Sequence, residues 1–85
     1  MNDDRVTVRT FVREQLSERG DHAAFGDTDS LLASGRLDSL AVAHFVMFLE
    51  ETFGVDFARI EFDPQRFDTV DHVMAIIEES RTAGR

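Results

Sequence analysis

The residues able to do chemistry are few, and most of them fall into three groupings. Ser39 follows Asp38, with histidines elsewhere at His22, His44 and His72. A hydrolase nucleophile needs Gly-x-Ser-x-Gly on a strand-to-helix turn. Here the residues are Leu37-Asp38-Ser39-Leu40-Ala41, and no strand pattern precedes them. The histidines lack the paired spacing of a metal site and read as surface or helix-face residues. Asp27-Thr28-Asp29 opens like a calcium loop, but Leu31 and Leu32 stand where a third oxygen ligand and a glycine are needed. It reads as a solvated acidic turn. The third grouping, Ser34-Gly35-Arg36-Leu37-Asp38-Ser39-Leu40, places a hydroxyl beside a carboxylate at a helix start. Free backbone N–H groups at such an end favour an attached phosphate. Asp38 would repel that phosphate, so it reads as a cap and as a recognition element for a modifying enzyme.

The elements that position these residues belong to a small chain. It has 85 residues, no cysteine, and a formal charge of −8. One domain fits that length, with a tail expected at 81–85 after an ordered body at about 4–80. Without cysteine there is neither a disulfide framework nor a thiolate zinc site, and a cytoplasmic location is expected. The longest apolar run, Phe45 to Leu49, is too short to insert in a membrane, and Met1-Asn2-Asp3-Asp4-Arg5 lacks the basic start of a secretory signal. Acidity argues against nucleic acid, because phosphate neutralisation needs clustered basic residues. Proteins with basic faces are the expected partners.

Periodicity predicts an all-α fold: three main helices, one short helix, and a long loop between the first two. The first helix is read over about Asp4–Arg19, with Val8, Phe11, Val12 and Leu16 on one stripe. Asp3 or Asp4 caps its start and Gly20 ends it. From Gly20 to Asp38 no helical period survives; Leu31, Leu32 and Leu37 read as pegs holding the connection to the core. The second helix follows the Asp38 cap. Its apolar face is read as Leu40, Ala43 and Met47 with Val46 and Leu49, widened by Phe45 and Phe48, and Phe53-Gly54 ends it. Asp63-Pro64 reads as a cap followed by proline at the first position of a single turn through Phe67. The last helix starts at Asp68 or Thr69 and buries Val70, Val73, Met74 and Ile77.

Asp29-Ser30-Leu31-Leu32, Leu37-Asp38-Ser39-Leu40, Leu49-Glu50-Glu51-Thr52-Phe53-Gly54-Val55 and Phe67-Asp68-Thr69-Val70 agree in order and spacing with one family. Over nearly its whole length the chain closely resembles the acyl carrier proteins. The resemblance implies an acyl-carrier-like bundle without catalytic groups of its own. In that family the serine of Asp-Ser-Leu, here Ser39, receives 4′-phosphopantetheine covalently from coenzyme A through a phosphopantetheinyl transferase. The cofactor's thiol then holds an acyl or aminoacyl group as a thioester. That would let a protein without cysteine do thioester chemistry. Asp38 and Leu40 would help to present the arm.

Fatty-acid carriers place acids two and five residues after the serine, where this sequence has Ala41 and His44. Phe53-Gly54-Val55-Asp56, Glu61-Phe62-Asp63 and Asp68-Thr69 are instead similar to D-alanyl and other aminoacyl carriers. The expectation is a monomeric carrier loaded by an acyl or amino-acid ligase and discharged by a downstream acyltransferase or synthase. Ala41, His44, Met47, Phe48 and Glu51, with the Phe57–Phe62 segment, are the expected docking face. The alternatives are a standard fatty-acid or polyketide carrier and, from another class, a helical interaction module without cofactor.

Overall fold

A computed structural model describes residues 3–83. It contains α1 (Asp3–Ser17), α2 (Ser39–Phe53), a 3-10 helix (Pro64–Phe67) and α3 (Val70–Ala83), with no strand among the described residues. The four elements and the long α1–α2 connection are those expected of an acyl-carrier-like bundle. α1 ends two residues before its expected limit. Gly20 takes a left-handed φ of +79°, its N–H returns to the Ser17 carbonyl, and the Asp21 N–H returns to Leu16. This paired closure satisfies carbonyls that a helix end otherwise leaves open. Asp3 and Asp4 both lie inside the first turn, so the cap itself falls outside the described residues.

The caps of the remaining helices follow from local chemistry. Asp38 caps α2, and Gly54 at φ +68° ends it with its N–H on the Leu49 carbonyl. Asp63 accepts from the Gln65 N–H and Pro64 opens the 3-10 helix. Thr69 Oγ1 accepts from the His72 N–H at 3.0 Å, which makes it the cap of α3. That helix continues past the expected limit to Ala83, and Arg81 pairs with Asp4 of α1. Residues 84 and 85 of the expected tail lie outside the described residues.

The core joins Val8, Val12 and Leu16 of α1 to Val70, Val73, Met74, Ile76 and Ile77 of α3, with Phe67 between them and α2. One expectation is corrected. The buried face of α2 is Ala41, Val42, Phe45 and Leu49, whereas Leu40, Ala43 and Met47 are exposed. Both sets are spaced for one helical face; aromatic contacts choose between them. Phe45 sits 4.9 Å from Phe11 and 5.7 Å from Phe67 between ring centroids, contacts that rings on the opposite face would forfeit.

The long connection is held by more than its leucines. Leu31 and Leu37 are buried and Leu32 is half-buried. In addition, Asp68 Oδ1 accepts from the Ser30 hydroxyl and from the Leu32 and Ala33 N–H groups at 2.8–3.0 Å. Burial pushes the Asp68 carboxyl up, but those hydrogen bonds outweigh it and hold it below the usual range. Arg36 clamps Asp21 and the Ala23 and Ala24 carbonyls. Asp27, from the acidic turn, is taken up by Arg9 and Arg5 of α1. The Arg9 hydrogen bond is the largest influence on its carboxyl, which lies at about 2 despite partial burial.

Candidate functional site

Ser39 is the first residue of α2, one position inside the Asp38 cap. A residue at that position points away from the capping ring, and the Ser39 side chain is exposed. Its hydroxyl has no hydrogen-bond partner among the described residues. It is therefore an alcohol held at a fixed place and open to esterification.

Asp38 is heavily engaged beside it. Oδ1 accepts from the Leu40 and Ala41 N–H groups at 3.1 and 3.3 Å. Arg19, in the turn that follows α1, adds Nη2 to Oδ1 at 2.5 Å and Nη1 to Oδ2 at 3.1 Å. The Arg19 guanidinium, followed by the Ala41 N–H, holds the Asp38 carboxyl below the usual carboxylate range. This revises one expectation: the Leu40 and Ala41 N–H groups are taken by Asp38 and are not available to an anion on Ser39.

A cleft of about 500 Å³ opens from the same place, lined by Leu32, Leu37, Asp38, Ser39, Val42, Ala43, Phe62 and Pro64. Its walls are chiefly apolar. Leu40 and Phe62 are 60% and 51% exposed, so apolar side chains stand at the surface next to the hydroxyl. A flexible arm rooted at Ser39 would have a greasy wall to lie against and open solvent above it.

The other expected contact residues divide. His44, Met47, Phe48 and Glu51 come together around a smaller cleft of about 270 Å³, with Phe11, Gln15 and Thr52. His44 Nδ1 lies 2.9 Å from Gln15 Oε1, a bond that orients the ring. Met47 is 56% exposed. Phe48 is half-buried, stacked on Phe11 at 4.2 Å, so much of its ring is internal packing. Ala41 is fully buried and is removed from the docking face, because it sits on the core side of α2. The pairings of Arg19 with Asp38, of Gln15 with His44 and of Asp68 with the long loop were not read from the sequence. Each joins residues far apart along the chain, and no local pattern marks such pairings.

A family model described as "phosphopantetheine attachment site" matches residues 6–77, from α1 into α3. The chain belongs to the phosphopantetheine-attachment, or acyl carrier, family. Its members hold 4′-phosphopantetheine covalently and act as carriers rather than catalysts. The site geometry suits that cofactor: a free, exposed hydroxyl beside an open apolar cleft. A D-alanyl carrier protein from Lacticaseibacillus rhamnosus is 33% identical over 52 residues, which is 61% of this chain. The match spans 64% of that relative's length. No solved structure matches significantly. No helix among the described residues is long and apolar enough to cross a membrane.

Proposed function

We propose that the chain is a single, monomeric, cytoplasmic carrier domain esterified on Ser39 by 4′-phosphopantetheine and loaded with a small aminoacyl or acyl group. The observation that carries this reading is the Ser39 hydroxyl: exposed, without a partner among the described residues, and inside the matched span. In the transfer, the Ser39 oxygen bonds to the phosphorus that bears pantetheine in coenzyme A. The bond from that phosphorus to the bridging oxygen breaks, and 3′-phosphoadenosine 5′-phosphate leaves with the electron pair. The serine proton passes to a base of the transferase. The arm's thiol then holds the cargo as a thioester.

An aminoacyl cargo is favoured by the similarity to a D-alanyl carrier and by His44, which stands where fatty-acid carriers place an acid. Partners would meet α2 through Leu40, Met47 and the edge of Phe48, with His44 and Glu51 at the rim and Phe62 across the cleft. Between Ser39 and Leu49 that helix carries no formal charge with histidine neutral, so contact there is chiefly apolar. The partners are a phosphopantetheinyl transferase, an amino-acid or acyl ligase, and a downstream acyltransferase or synthase.

Intact-mass analysis after incubation with coenzyme A and a broad-range transferase tests the attachment. Wild type gains one phosphopantetheine and Ser39→Ala gains none. A wild type that stays unmodified with several transferases returns the chain to an interaction module. Offering the arm-bearing, unloaded form D-alanine or other amino acids with their ligases, beside fatty-acid synthase enzymes, tests the cargo. Efficient acyl elongation without aminoacyl loading overturns the aminoacyl reading.

A further inference from the structure

An arm on Ser39 brings a phosphodiester anion next to a carboxylate that is itself held ionised. The usual remedy, free N–H groups at the helix start, is mostly used up: Asp38 occupies those of Leu40 and Ala41 and its carbonyl takes that of Val42, which leaves the Ser39 N–H alone. Two arginines lie close in sequence or space. Arg36 is committed to the long loop, with Nε, Nη1 and Nη2 all bonded to Asp21 or to the Ala23 and Ala24 carbonyls. Arg19 is different. It reaches Asp38 with one hydrogen from each terminal nitrogen. The rest of its five N–H donors have no hydrogen-bond partner among the described residues.

We propose that Arg19 is the counter-charge for the modified serine: bidentate to Asp38 in the unmodified protein, it shares its guanidinium with the phosphodiester once the arm is attached. Arg19 is thus a positioning residue that fixes the root of the arm. The inference rests on the reading of Ser39 as the attachment point. Its physical basis is charge balance. The Arg19–Asp38 pair is neutral, so modification leaves the end of α2 with one net negative charge instead of two. A guanidinium is suited to the role because its planar donors can serve a carboxylate and a phosphate oxygen together. The closure at Gly20 ends α1 so that Arg19 projects from the turn toward α2.

The experiment uses the full chain, isotopically labelled, before and after transferase treatment. On modification the Arg19 Nε–H signal shifts and the Arg36 signal does not. In Arg19→Gln the arm still attaches, judged by mass, but its phosphorus signal moves and narrows toward that of the same phosphodiester on the urea-unfolded chain. Arg19→Lys restores part of the shift, which a merely structural role for the side chain would not produce. An Arg19 signal unchanged by modification in wild type overturns the inference without recourse to any variant. A phosphorus signal identical in wild type and a folded Arg19→Gln protein overturns it as well. Absence of any mass gain in wild type instead overturns the Ser39 reading, and the inference falls with it.

Discussion

Asp38-Ser39-Leu40 and Asp68-Thr69-Val70 are the same pattern, an acid, a hydroxyl and an aliphatic residue, and each begins a helix. Their hydroxyls meet opposite fates. At α2 the aspartate is the cap, and the serine one residue on is exposed with no partner among the described residues. At α3 the aspartate is drawn away by the loop N–H groups of Leu32 and Ala33 and by Ser30, so the cap falls to the threonine. Thr69 is 8% exposed and its oxygen is bonded. A shift of one residue in the cap thus separates a hydroxyl open to modification from one used up by the fold.

The comparison can be broken at several points. The largest effect is all-or-none. In Ser39→Ala, changing Thr69 to serine does not restore modification by mass, because that hydroxyl stays capped and buried; a restored gain would mean that the cap does not decide access. Next come the residues that hold the loop. Leu37→Ala should lower unfolding stability by roughly 2–4 kcal/mol, the cost of emptying a buried leucine site. Asp68→Ala should cost roughly 2–3 kcal/mol, since it strands donors that are partly shielded from water. Both are read from urea midpoints, and Asp68→Asn, which keeps the acceptor oxygen, should lose less.

Thr69→Ala should cost about 1 kcal/mol as a lost cap. Ser39→Ala should leave the urea midpoint nearly unchanged, because the serine hydroxyl holds nothing. A pH dependence sharpens the account of the loop. The Asp27 carboxyl sits at about 2 in the folded protein, below its ordinary 3.8. A depressed folded value means that its contribution is complete above the ordinary value and is lost as pH falls through the folded one. Stability attributable to Asp27 should fade between about pH 4 and pH 2. Asp27→Asn should flatten the urea midpoint over that window, and an equally steep decline in the variant would assign the loss to other carboxylates.

Much of the fold was legible because capping chemistry is local. Asp38, Gly54, Gly20 and Asp63-Pro64 announce helix boundaries within a few residues of themselves, and the structure places them at or beside those boundaries. Asp68 was less legible. As a residue at a helix start it is a natural cap, and only the folded loop, more than thirty residues earlier in the chain, gives it another role. The inward face of α2 was legible only in part: Leu49 and Phe45 belong to the apolar set read from the sequence and are buried, whereas Leu40, Ala43 and Met47 are exposed. Leu40, Ala43 and Met47 make as good a stripe as Ala41, Phe45 and Leu49, and periodicity finds stripes without saying which one meets the core. Phe11 and Phe67 decide it, and both belong to other elements. At the candidate site, the place of Ser39 at a helix start and the capping role of Asp38 could be read from adjacent residues. Arg19 could not, since nothing near it in sequence points to a carboxylate nineteen residues on.

A helix that is greasy on two sides has two plausible ways to be seated, and something must penalise the wrong one. Turning α2 about its axis to bury Met47 would carry Phe45 into water and swing the Asp38 carboxylate off the Arg19 guanidinium. The ion pair that neighbours Ser39 is therefore made only when the rod beneath it is docked with Phe45 inward, so one end of the helix registers how its whole length is seated.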